Sequence, residues 1–165
     1  MPKNIFEEMG FEPNQPCVPE EALYNLARSY AFLNQGFQRC YAPFGLTPAK
    51  MNLLMLIKHR GGQEGISQTE IAQRLIVSGA DVTGLIDRLE REGMLTRTCA
   101  KKDRRVNLIK ITAKGSALLD QVWPEHVKHA QRAAGGLSAK EQKALVKLLS
   151  KLRHNLPGAV LEQRP

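Results

Sequence analysis

The sequence predicts a mainly α-helical fold that carries one small β-hairpin. Three observations lead to this fold class. Apolar residues recur at spacings of three and four through most of residues 20–156, which is the periodicity of helices with one buried side. Two runs of β-forming residues, 94–98 and 106–111, flank a polar segment and predict a hairpin. Glycines and prolines at 43–48, 61–62 and 135–136 separate the helical segments.

The composition of the chain limits the class of protein. With 165 residues, 42% of them hydrophobic, the chain is long enough to form a substantial core. Its formal net charge of +8 favours a nucleic acid or an anionic surface as partner. No apolar run approaches the roughly 20 residues that cross a bilayer, and the N-terminus lacks the apolar region of a signal peptide. We therefore expect a cytoplasmic protein with no membrane partner.

The N-terminal quarter of the chain predicts an arm followed by a long helix. Residues 1–19 contain four prolines and little periodicity, which indicates a flexible arm. A helix is predicted over residues 20–45, because its apolar residues form one continuous seam of the kind that packs lengthwise on partner helices. The seam consists of Leu23, Leu26, Tyr30, Leu33, Phe37, Cys40 and Phe44.

Two helix starts follow between residues 46 and 75. Thr47 can cap a helix that has Pro48 at its first position and ends at Gly61. Residues 67–70 have the pattern of a capping box, in which Ser67 and Glu70 each satisfy a backbone N–H. We expect a short helix after this box, ending near Leu75.

The fourth predicted helix, residues 80–92, has two different sides. Val82, Leu85, Ile86 and Leu89 form one apolar stripe. The outward side begins with small residues, and Gly84 costs about 1 kcal/mol relative to alanine in a helix interior, which a close approach to another surface would justify. The preceding short helix makes this a helix-turn-helix, whose second helix enters the major groove. The outward residues are Ala80, Thr83, Gly84, Asp87, Arg88 and Arg91.

The hairpin carries a concentration of positive charge that suits a wing lying against DNA. Six basic residues and a single acid, Asp103, fall between Met94 and Lys110. A carboxylate in this position can hold a guanidinium extended by a two-pronged hydrogen bond, while the other cations meet phosphates. Arg97 is either a phosphate contact or an internal partner of Asp103. The remaining basic residues are Lys101, Lys102, Arg104, Arg105 and Lys110, and residues 46–112 are predicted to form a winged helix-turn-helix domain.

Two further helices are predicted over residues 113–156, followed by a tail at 157–165. Thr112 can cap the first of them, which ends at Gly135 and Gly136. Ser138 and Glu141 form a second capping box, and the helix that it opens has a leucine seam.

Several of these segments together resemble the MarR family of bacterial transcriptional regulators. The resemblance rests on residues 46–48 (LTP), 53–56 (LLML), 68–72 (QTEIA), 82–90 (VTGLIDRLE), 92–97 (EGMLTR), 103–105 (DRR) and 108–115 (LIKITAKG). It implies an obligate homodimer in which the predicted helices at 20–45 and 113–156 intertwine. It also implies that Arg105 is the wing-tip arginine, that Asp103 orients it, and that the groove-reading positions run from Ser78 and Gly79 to Asp87. A phenolic or aromatic-carboxylate effector is implied as well.

The predicted function is that of a homodimeric regulator that binds double-stranded DNA at a pseudo-palindromic operator, represses transcription and is released by a small aromatic ligand. Tyr24, Tyr30, Phe37 and Trp123 are candidates for the ligand pocket, with dimer core as the alternative. The alternative functions are a ligand-independent architectural or anti-silencing DNA-binding protein and a thiol- or metal-responsive regulator.

The cysteines and histidines bear on the thiol- or metal-responsive alternative. The three cysteines include no CxxC pair, which argues against a disulfide framework or a zinc site. Cys40 is interpreted as a core residue, and Cys99 as a structural strand residue, while Cys17 leaves a sensing role open. His126 and His129 are assigned to solvent or to an interface. No metal or cofactor is predicted, and no nucleophile–base pair suggests an enzyme.

Overall fold

The computed structural model describes residues 4–10, 17–75, 79–99 and 107–161. Within these ranges the chain forms seven α-helices and a three-stranded antiparallel sheet, which confirms the predicted fold class. The chain consists of two compact units, Met1–His126 and Val127–Pro165. Among the helices of the described residues, none combines the length and the apolarity needed to span a bilayer.

A short helix, α1 (Ile5–Met9), lies where the sequence predicted only an arm. The Asn4 side chain accepts a hydrogen bond from the backbone N–H of Phe6 at 3.0 Å, which caps the helix start. Ile5 and Phe6 are buried, and the Phe6 ring meets the Tyr24 ring edge-on at a centroid distance of 5.7 Å. The prediction is therefore wrong for residues 5–9, because five residues are too few to show a helical period. Residues 1–3 and 11–16 of the predicted arm lie outside the described residues.

The two helices that follow agree closely with the sequence. Helix α2 (Val18–Tyr41) passes into a 3₁₀ turn (Ala42–Phe44), and Gly45 closes this turn with a positive φ of 68°. Helix α3 (Pro48–Arg60) begins as predicted, since the Thr47 hydroxyl accepts a hydrogen bond from the backbone N–H of Lys50 at 3.2 Å. The side chains of α3 that form the centre of the core are Met51, Leu53, Leu54 and Ile57.

The helix-turn-helix consists of α4 (Gln68–Arg74) and α5 (Gly79–Arg91). We call its second helix, α5, the recognition helix. The Ser67 hydroxyl accepts from the backbone N–H of Glu70 at 3.1 Å, so this half of the predicted capping box is present. The Glu70 carboxylate accepts a hydrogen bond from Arg74 at 3.0 Å. All four residues of the predicted apolar stripe of α5 are buried: Val82, Leu85, Ile86 and Leu89.

The predicted hairpin forms part of a larger sheet. Strands β2 (Leu95–Cys99) and β3 (Asn107–Ile111) are antiparallel, with Arg97 opposite Ile109. A third strand, β1 (Ile66–Ser67), pairs with the other edge of β3, so that the strand order is β1-β3-β2. The sequence did not reveal β1, because two residues carry no alternation pattern. Residues 100–106, which contain the predicted wing tip, lie outside the described residues.

The start of α6 (Ala113–Ala134) is fixed against the base of the hairpin. The Thr112 hydroxyl donates to the Gly93 carbonyl at 2.8 Å and accepts from the backbone N–H of Gly115 at 3.0 Å. A Cβ atom at position 115 would collide with the backbone carbonyl oxygen of Met94. This position therefore requires glycine, and it sets how closely α6 approaches the end of the recognition helix.

The second unit contains the end of α6 and the long helix α7 (Ala139–Leu161). The predicted capping box at its start is complete, because Ser138 N–H donates to the Glu141 carboxylate at 2.7 Å and Glu141 N–H donates to the Ser138 hydroxyl at 3.4 Å. The Ser138 hydroxyl also donates to the Glu141 carboxylate at 2.6 Å, and this bond, followed by the one from the Ser138 backbone N–H, lowers the pKa of Glu141. Several large apolar side chains of α7 are exposed: Leu145, Val146, Leu148 and Leu156.

Candidate nucleic-acid interface and ligand cavity

The outward side of the recognition helix is open to solvent. Thr83, Gly84, Arg88 and Arg91 are exposed, and Asp87 is half-buried. A Cβ atom at position 84 would meet only the end of the flexible Arg88 side chain, at 3.8 Å. Packing within the chain therefore does not require glycine here, in contrast to position 115. Gly79 and Ala80 begin this helix, and Ser78 lies outside the described residues.

The side chain of Gln68 reaches from the first helix of the motif to the recognition helix. Its Nε2 donates a hydrogen bond to the Thr83 hydroxyl oxygen at 2.7 Å, on the exposed surface. An amide nitrogen can only donate, so the Thr83 oxygen acts as the acceptor in this contact. Gln68 belongs to two motifs of the sequence analysis, residues 67–70 and 68–72, but its contact with Thr83 was not predicted, because residues 15 apart show no local signal. The bond fixes the hydroxyl of a predicted groove-reading residue.

The two arginines of the recognition helix fold back on their own helix. Arg88 Nε donates to the Gly84 carbonyl at 3.0 Å, and Arg91 Nε donates to the Asp87 carbonyl at 3.3 Å. Both side chains remain exposed, so their guanidinium groups lie at the surface and are held near the helix by a single bond each. Exposed arginines of this kind suit contacts with phosphates or base edges.

Arg97 on strand β2 is bound to the recognition helix. Its Nη2 lies 2.6 Å from Asp87 Oδ1, and its Nε lies 3.8 Å from Glu90 Oε2. The buried Nε has no hydrogen-bond partner among the described residues, since 3.8 Å is too long for a bond. The two predicted roles of Arg97, a phosphate contact or a partner of Asp103, both omitted Asp87. Among the described residues, Asp87 is the close partner of Arg97. Asp87 therefore lies on the outward side of the recognition helix and also positions strand β2 against this helix.

Glu92 joins three elements at the base of the wing. Its carboxylate lies 2.6 Å from Lys50 Nζ on α3, and its backbone carbonyl accepts from Lys114 Nζ on α6 at 2.7 Å. These contacts connect the end of the recognition helix to the starts of two other helices. The sequence did not reveal them, because the partners are 42 and 22 residues away.

The remaining predicted contacts belong to the wing tip. Lys101, Lys102, Asp103, Arg104 and Arg105 lie between the ends of β2 and β3 and outside the described residues. Lys110, on β3, is half-buried.

Comparison with known proteins assigns the family. The MarR family model matches residues 44–106, which contain the helix-turn-helix and the first strand of the hairpin, β2. The HTH-type transcriptional regulator YkoM of Bacillus subtilis (strain 168) is 35% identical over 125 residues, which cover 76% of this chain and 79% of YkoM. The chain belongs to the MarR family. Proteins of this family are DNA-binding transcriptional regulators and not enzymes, which confirms both predictions.

Two solved structures of DNA-binding proteins are similar to this chain. The transcriptional repressor CouR bound to a 23-mer DNA duplex has a TM-score of 0.75 and 29% identity, and the match covers 86% of this chain and 99% of CouR. BpsR of Bordetella bronchiseptica has a TM-score of 0.73 and 28% identity, and the match covers 81% of this chain and 98% of BpsR. The latter structure concerns the regulation of DNA binding by 6-hydroxynicotinic acid.

In this MarR-family chain a cavity of about 320 Å³ lies among α2, α3 and α6; we call it the α2–α3 cavity. Two of the four predicted pocket residues, Tyr30 and Phe37, line it. Tyr24 packs on Phe6 instead, and Trp123 lines a separate cavity of about 250 Å³ beside Lys58 and Asp120. The full lining of the α2–α3 cavity is Tyr30, Leu33, Asn34, Phe37, Tyr41, Pro48, Ala49, Asn52 and His126.

An aromatic cluster forms one wall of the α2–α3 cavity. His126 stacks on Phe37 at a centroid distance of 5.3 Å and on Trp123 at 4.9 Å, and its Nδ1 lies 2.6 Å from the Tyr41 hydroxyl. Burial raises the pKa of the Tyr41 phenol to about 12, with a smaller effect from Cys40. The assignment of His126 to solvent is therefore wrong, because this half-buried side chain joins α6 to α2, while its assignment to an interface stays a prediction. Trp123 is only three residues away on the same helix, but Phe37 and Tyr41 are too far from His126 in sequence for these contacts to be predicted.

The thiols and histidines do not form a cluster in the described part of the chain. Cys40 is half-buried, and Cys17 and Cys99 are exposed. Within residues 4–10, 17–75, 79–99 and 107–161, no group of three His, Cys, Asp or Glu side chains could hold a metal ion.

Proposed function

We propose that this MarR-family regulator is a homodimeric repressor, which binds a pseudo-palindromic operator and is released by a small planar aromatic ligand. The observation that carries the ligand-dependent part is the α2–α3 cavity, whose walls come from the helix that opens the winged domain and from two helices outside it. Relatives support the proposal in outline, since CouR is a repressor and BpsR responds to a hydroxylated aromatic acid.

Exposed apolar side chains support the homodimer. Helix α2 exposes Leu23, Tyr30, Phe32 and Leu33, and α7 exposes the four residues named above. Such rows of large apolar side chains on two long helices are unusual on a monomer and mark protein–protein contacts. A second copy of the chain would bury them and would present a second recognition helix. Two such helices fit successive major grooves when they are about 34–36 Å apart, which is why the operator should be a pseudo-palindrome.

The roles on DNA follow from the exposed groups. Thr83 and Gly84 lie at the part of α5 that can come closest to base edges, and Arg88 and Arg91 extend from the same side. The basic residues 101–105 of the wing, above all Arg105, are proposed to contact phosphates or the minor groove. Arg97 acts indirectly, since it holds Asp87 and with it the position of the wing relative to the recognition helix.

The chemistry of the cavity lining indicates the class of ligand. Phe37, Tyr41 and His126 offer flat faces for an aromatic ring. Asn34 and Asn52 carry amide groups that can donate to or accept from a hydroxyl. The nine described residues that line the cavity include no lysine or arginine, and Nδ1 of the one histidine among them, His126, already meets the Tyr41 hydroxyl, so a carboxylate would find no permanent positive charge there. A neutral phenol or similar hydroxylated ring therefore fits better than an aromatic carboxylate.

A ligand in this cavity can act on DNA binding only through different affinities for two arrangements of the surrounding helices. Asn52 and Ala49 lie on α3, and Phe37 and Tyr41 lie on α2. A ring wedged between these helices would favour one separation of α2 and α3, and hence one position of the winged domain. Release from the operator follows if this position does not match the spacing of the major grooves.

Operator binding measured with and without ligands tests the proposal. Bound genomic fragments are first selected with the purified protein, and matched pairs of phenols and benzoates are then titrated against the complex. We expect phenols to release the DNA and the corresponding benzoates to act more weakly. Asn52→Leu should abolish release and keep operator binding, while Asn25→Leu on the exposed side of α2 serves as the control. If no compound alters operator binding, the ligand-independent alternative replaces this proposal.

A further inference from the structure

The positive charge of the protein has two concentrations, one in the winged domain and one in the second unit. Residues 127–165 contain eight lysines and arginines and two carboxylates, and therefore carry a net charge of +6 out of the total of +8. The winged domain, residues 46–112, contains twelve basic and seven acidic residues, a net charge of +5, while residues 1–45 and 113–126 together carry a net charge of −3. The second unit thus carries about as much net positive charge in 39 residues as the winged domain carries in 67, and the operator contacts proposed above do not use it.

Four lysines of α7 form a single stripe. Lys140, Lys143, Lys147 and Lys151 are three or four residues apart, so they fall within an arc of about 80° on the helix surface. All four are exposed, and none of them makes an ion pair with a described residue. We call this set the lysine stripe.

No carboxylate of the described chain opposes the lysine stripe on its own helix. Glu141 is the only acid of α7, and its carboxylate is occupied by Ser138 at the start of the helix. The exposed leucines and Val146 lie on the other side of α7. Helices that serve only solubility commonly alternate acidic and basic residues at this spacing, which gives favourable pairs. A stripe of one sign instead repels itself and gains stability from an anionic partner.

We propose that the lysine stripe is a second DNA-binding surface, separate from the recognition helix and the wing. The inference rests on the DNA-binding function of the family and goes beyond the operator contacts proposed above. Eleven residues of helix rise about 16 Å, and duplex DNA carries one phosphate per about 3.4 Å of axis on each strand. Four ammonium groups over this length therefore meet a comparable number of phosphates.

The absence of arginines and aromatic side chains from the stripe determines the kind of contact. Lysine is a strongly hydrated point charge without the planar fork that recognises a base edge. The stripe should therefore bind the sugar–phosphate backbone of any sequence and contribute through release of counterions. An anionic membrane would also attract lysines, but it would additionally take up the apolar side of α7, which the homodimer requires.

The test compares the salt dependence of binding to a duplex that lacks the operator. The variant carries Lys→Gln at positions 140, 143, 147 and 151, and the matched control carries Lys→Arg at the same four positions. Lysine, glutamine and arginine have similar helix propensities, so circular dichroism and light scattering should show the same helix content and dimer for all three proteins.

The slope of log K against the logarithm of the salt concentration is negative. We expect it to become less steep by about 0.9 for each phosphate that the glutamine variant no longer neutralises, and to remain unchanged in the arginine variant. The ratio of operator to non-operator affinity should stay the same, since the stripe recognises no sequence. A slope equal to that of the wild type in the glutamine variant overturns the inference and leaves the stripe as a solvated face. If the glutamine variant loses binding to phosphatidylserine vesicles while its slope on DNA equals that of the wild type, the inference is overturned in favour of a membrane partner.

An Arg105→Ala protein measured in parallel separates this inference from the proposed function. If Arg105→Ala weakens operator binding while the lysine variant matches the wild type, only the lysine stripe is excluded. If neither variant changes DNA binding, the operator contacts of the wing are wrong as well.

Discussion

Arg97 and Asp87 connect the wing to the recognition helix through a contact of 2.6 Å between Nη2 and Oδ1. The two residues are ten positions apart, one near the middle of β2 and the other in the second half of α5. The position of the hairpin is therefore coupled to that of the helix that reads DNA. Asp87 lies on the outward side of α5, where a lone carboxylate would repel phosphates, and its pairing with Arg97 reduces this repulsion.

Asp87→Asn should weaken operator binding more than it weakens the fold. Both partners are partly exposed, so removal of the pair costs only about 0.2–1 kcal/mol of stability. Operator affinity should fall several-fold, because Arg97 no longer fixes the hairpin against α5. Fluorescence anisotropy with operator DNA and thermal unfolding measure the two effects. Lys58→Gln, which breaks the exposed Lys58–Asp120 pair, should leave operator affinity unchanged. An Asp87→Asn protein that binds better than the wild type would show that charge repulsion outweighs this coupling.

Gly84→Ala should stabilise the protein and impair its binding to DNA. Alanine is favoured over glycine in a helix interior by about 1 kcal/mol, and the added methyl group meets only the mobile end of Arg88 at 3.8 Å. On DNA, the methyl group would stand between the helix backbone and the groove floor. The free energy of unfolding from urea titration and the operator Kd should therefore show a more stable protein that binds more weakly. Unchanged operator affinity would mean that α5 does not approach the bases at this position.

Thr83 should specify a base through the proton of its hydroxyl. Gln68 Nε2 donates to the hydroxyl oxygen, so the proton is available to a base acceptor in the major groove. Thr83→Ser should preserve the base preference at one operator position. Thr83→Val should reduce the discrimination against the wrong base at this position by about 1–3 kcal/mol. Gln68→Glu should resemble Thr83→Val, because a carboxylate would take the proton for itself. Selection from randomised operators measures all three, and equal preferences in the serine and valine variants would remove this role.

Helix caps and apolar periodicity made much of the fold predictable from the sequence. The Thr47 and Ser138 caps and the buried stripe of α5 depend on residues close together in the chain, and the structure has each of them. Strand β1 and helix α1 were missed because they have only two and five residues. Neither is long enough to show a period.

The candidate site was less predictable, since its side chains meet over long separations in sequence. The recognition helix could be identified from its own two sides, but Gln68–Thr83, Arg97–Asp87 and Glu92–Lys50 join different elements. The aromatic cluster is similar, because Tyr41 and His126 are 85 residues apart. A pattern in a single sequence shows which side of a helix is polar, and it does not show which polar group lies opposite.

Gly115→Ala should be strongly destabilising. The added Cβ would collide with the Met94 carbonyl oxygen and would lie 2.9 Å from the Ile111 side chain, in a place where the backbone cannot yield easily. Overpacking of this kind costs about 1–3 kcal/mol. Gly136→Ala is the matched control, because nothing lies within 4 Å of a Cβ there and no positive φ is present. Thermal unfolding should separate the two variants clearly, and similar midpoints would contradict the tight contact between α6 and the hairpin.

Tyr41 should make the stability of the protein sensitive to alkaline pH. Burial raises its pKa from 10.0 to about 12 in the folded protein, so the folded state holds the phenolic proton more tightly than the unfolded chain does. The contribution of Tyr41 to the free energy of unfolding is fully present below pH 10 and is lost as the pH rises through about 12, because Tyr41 ionises first in the unfolded chain. The unfolding midpoint of the wild type should therefore fall more steeply over this window than that of Tyr41→Phe.

At neutral pH the phenylalanine variant should be the less stable protein, since it lacks the hydrogen bond to His126. Parallel curves for the wild type and Tyr41→Phe would show that the Tyr41 hydroxyl is not the group that titrates.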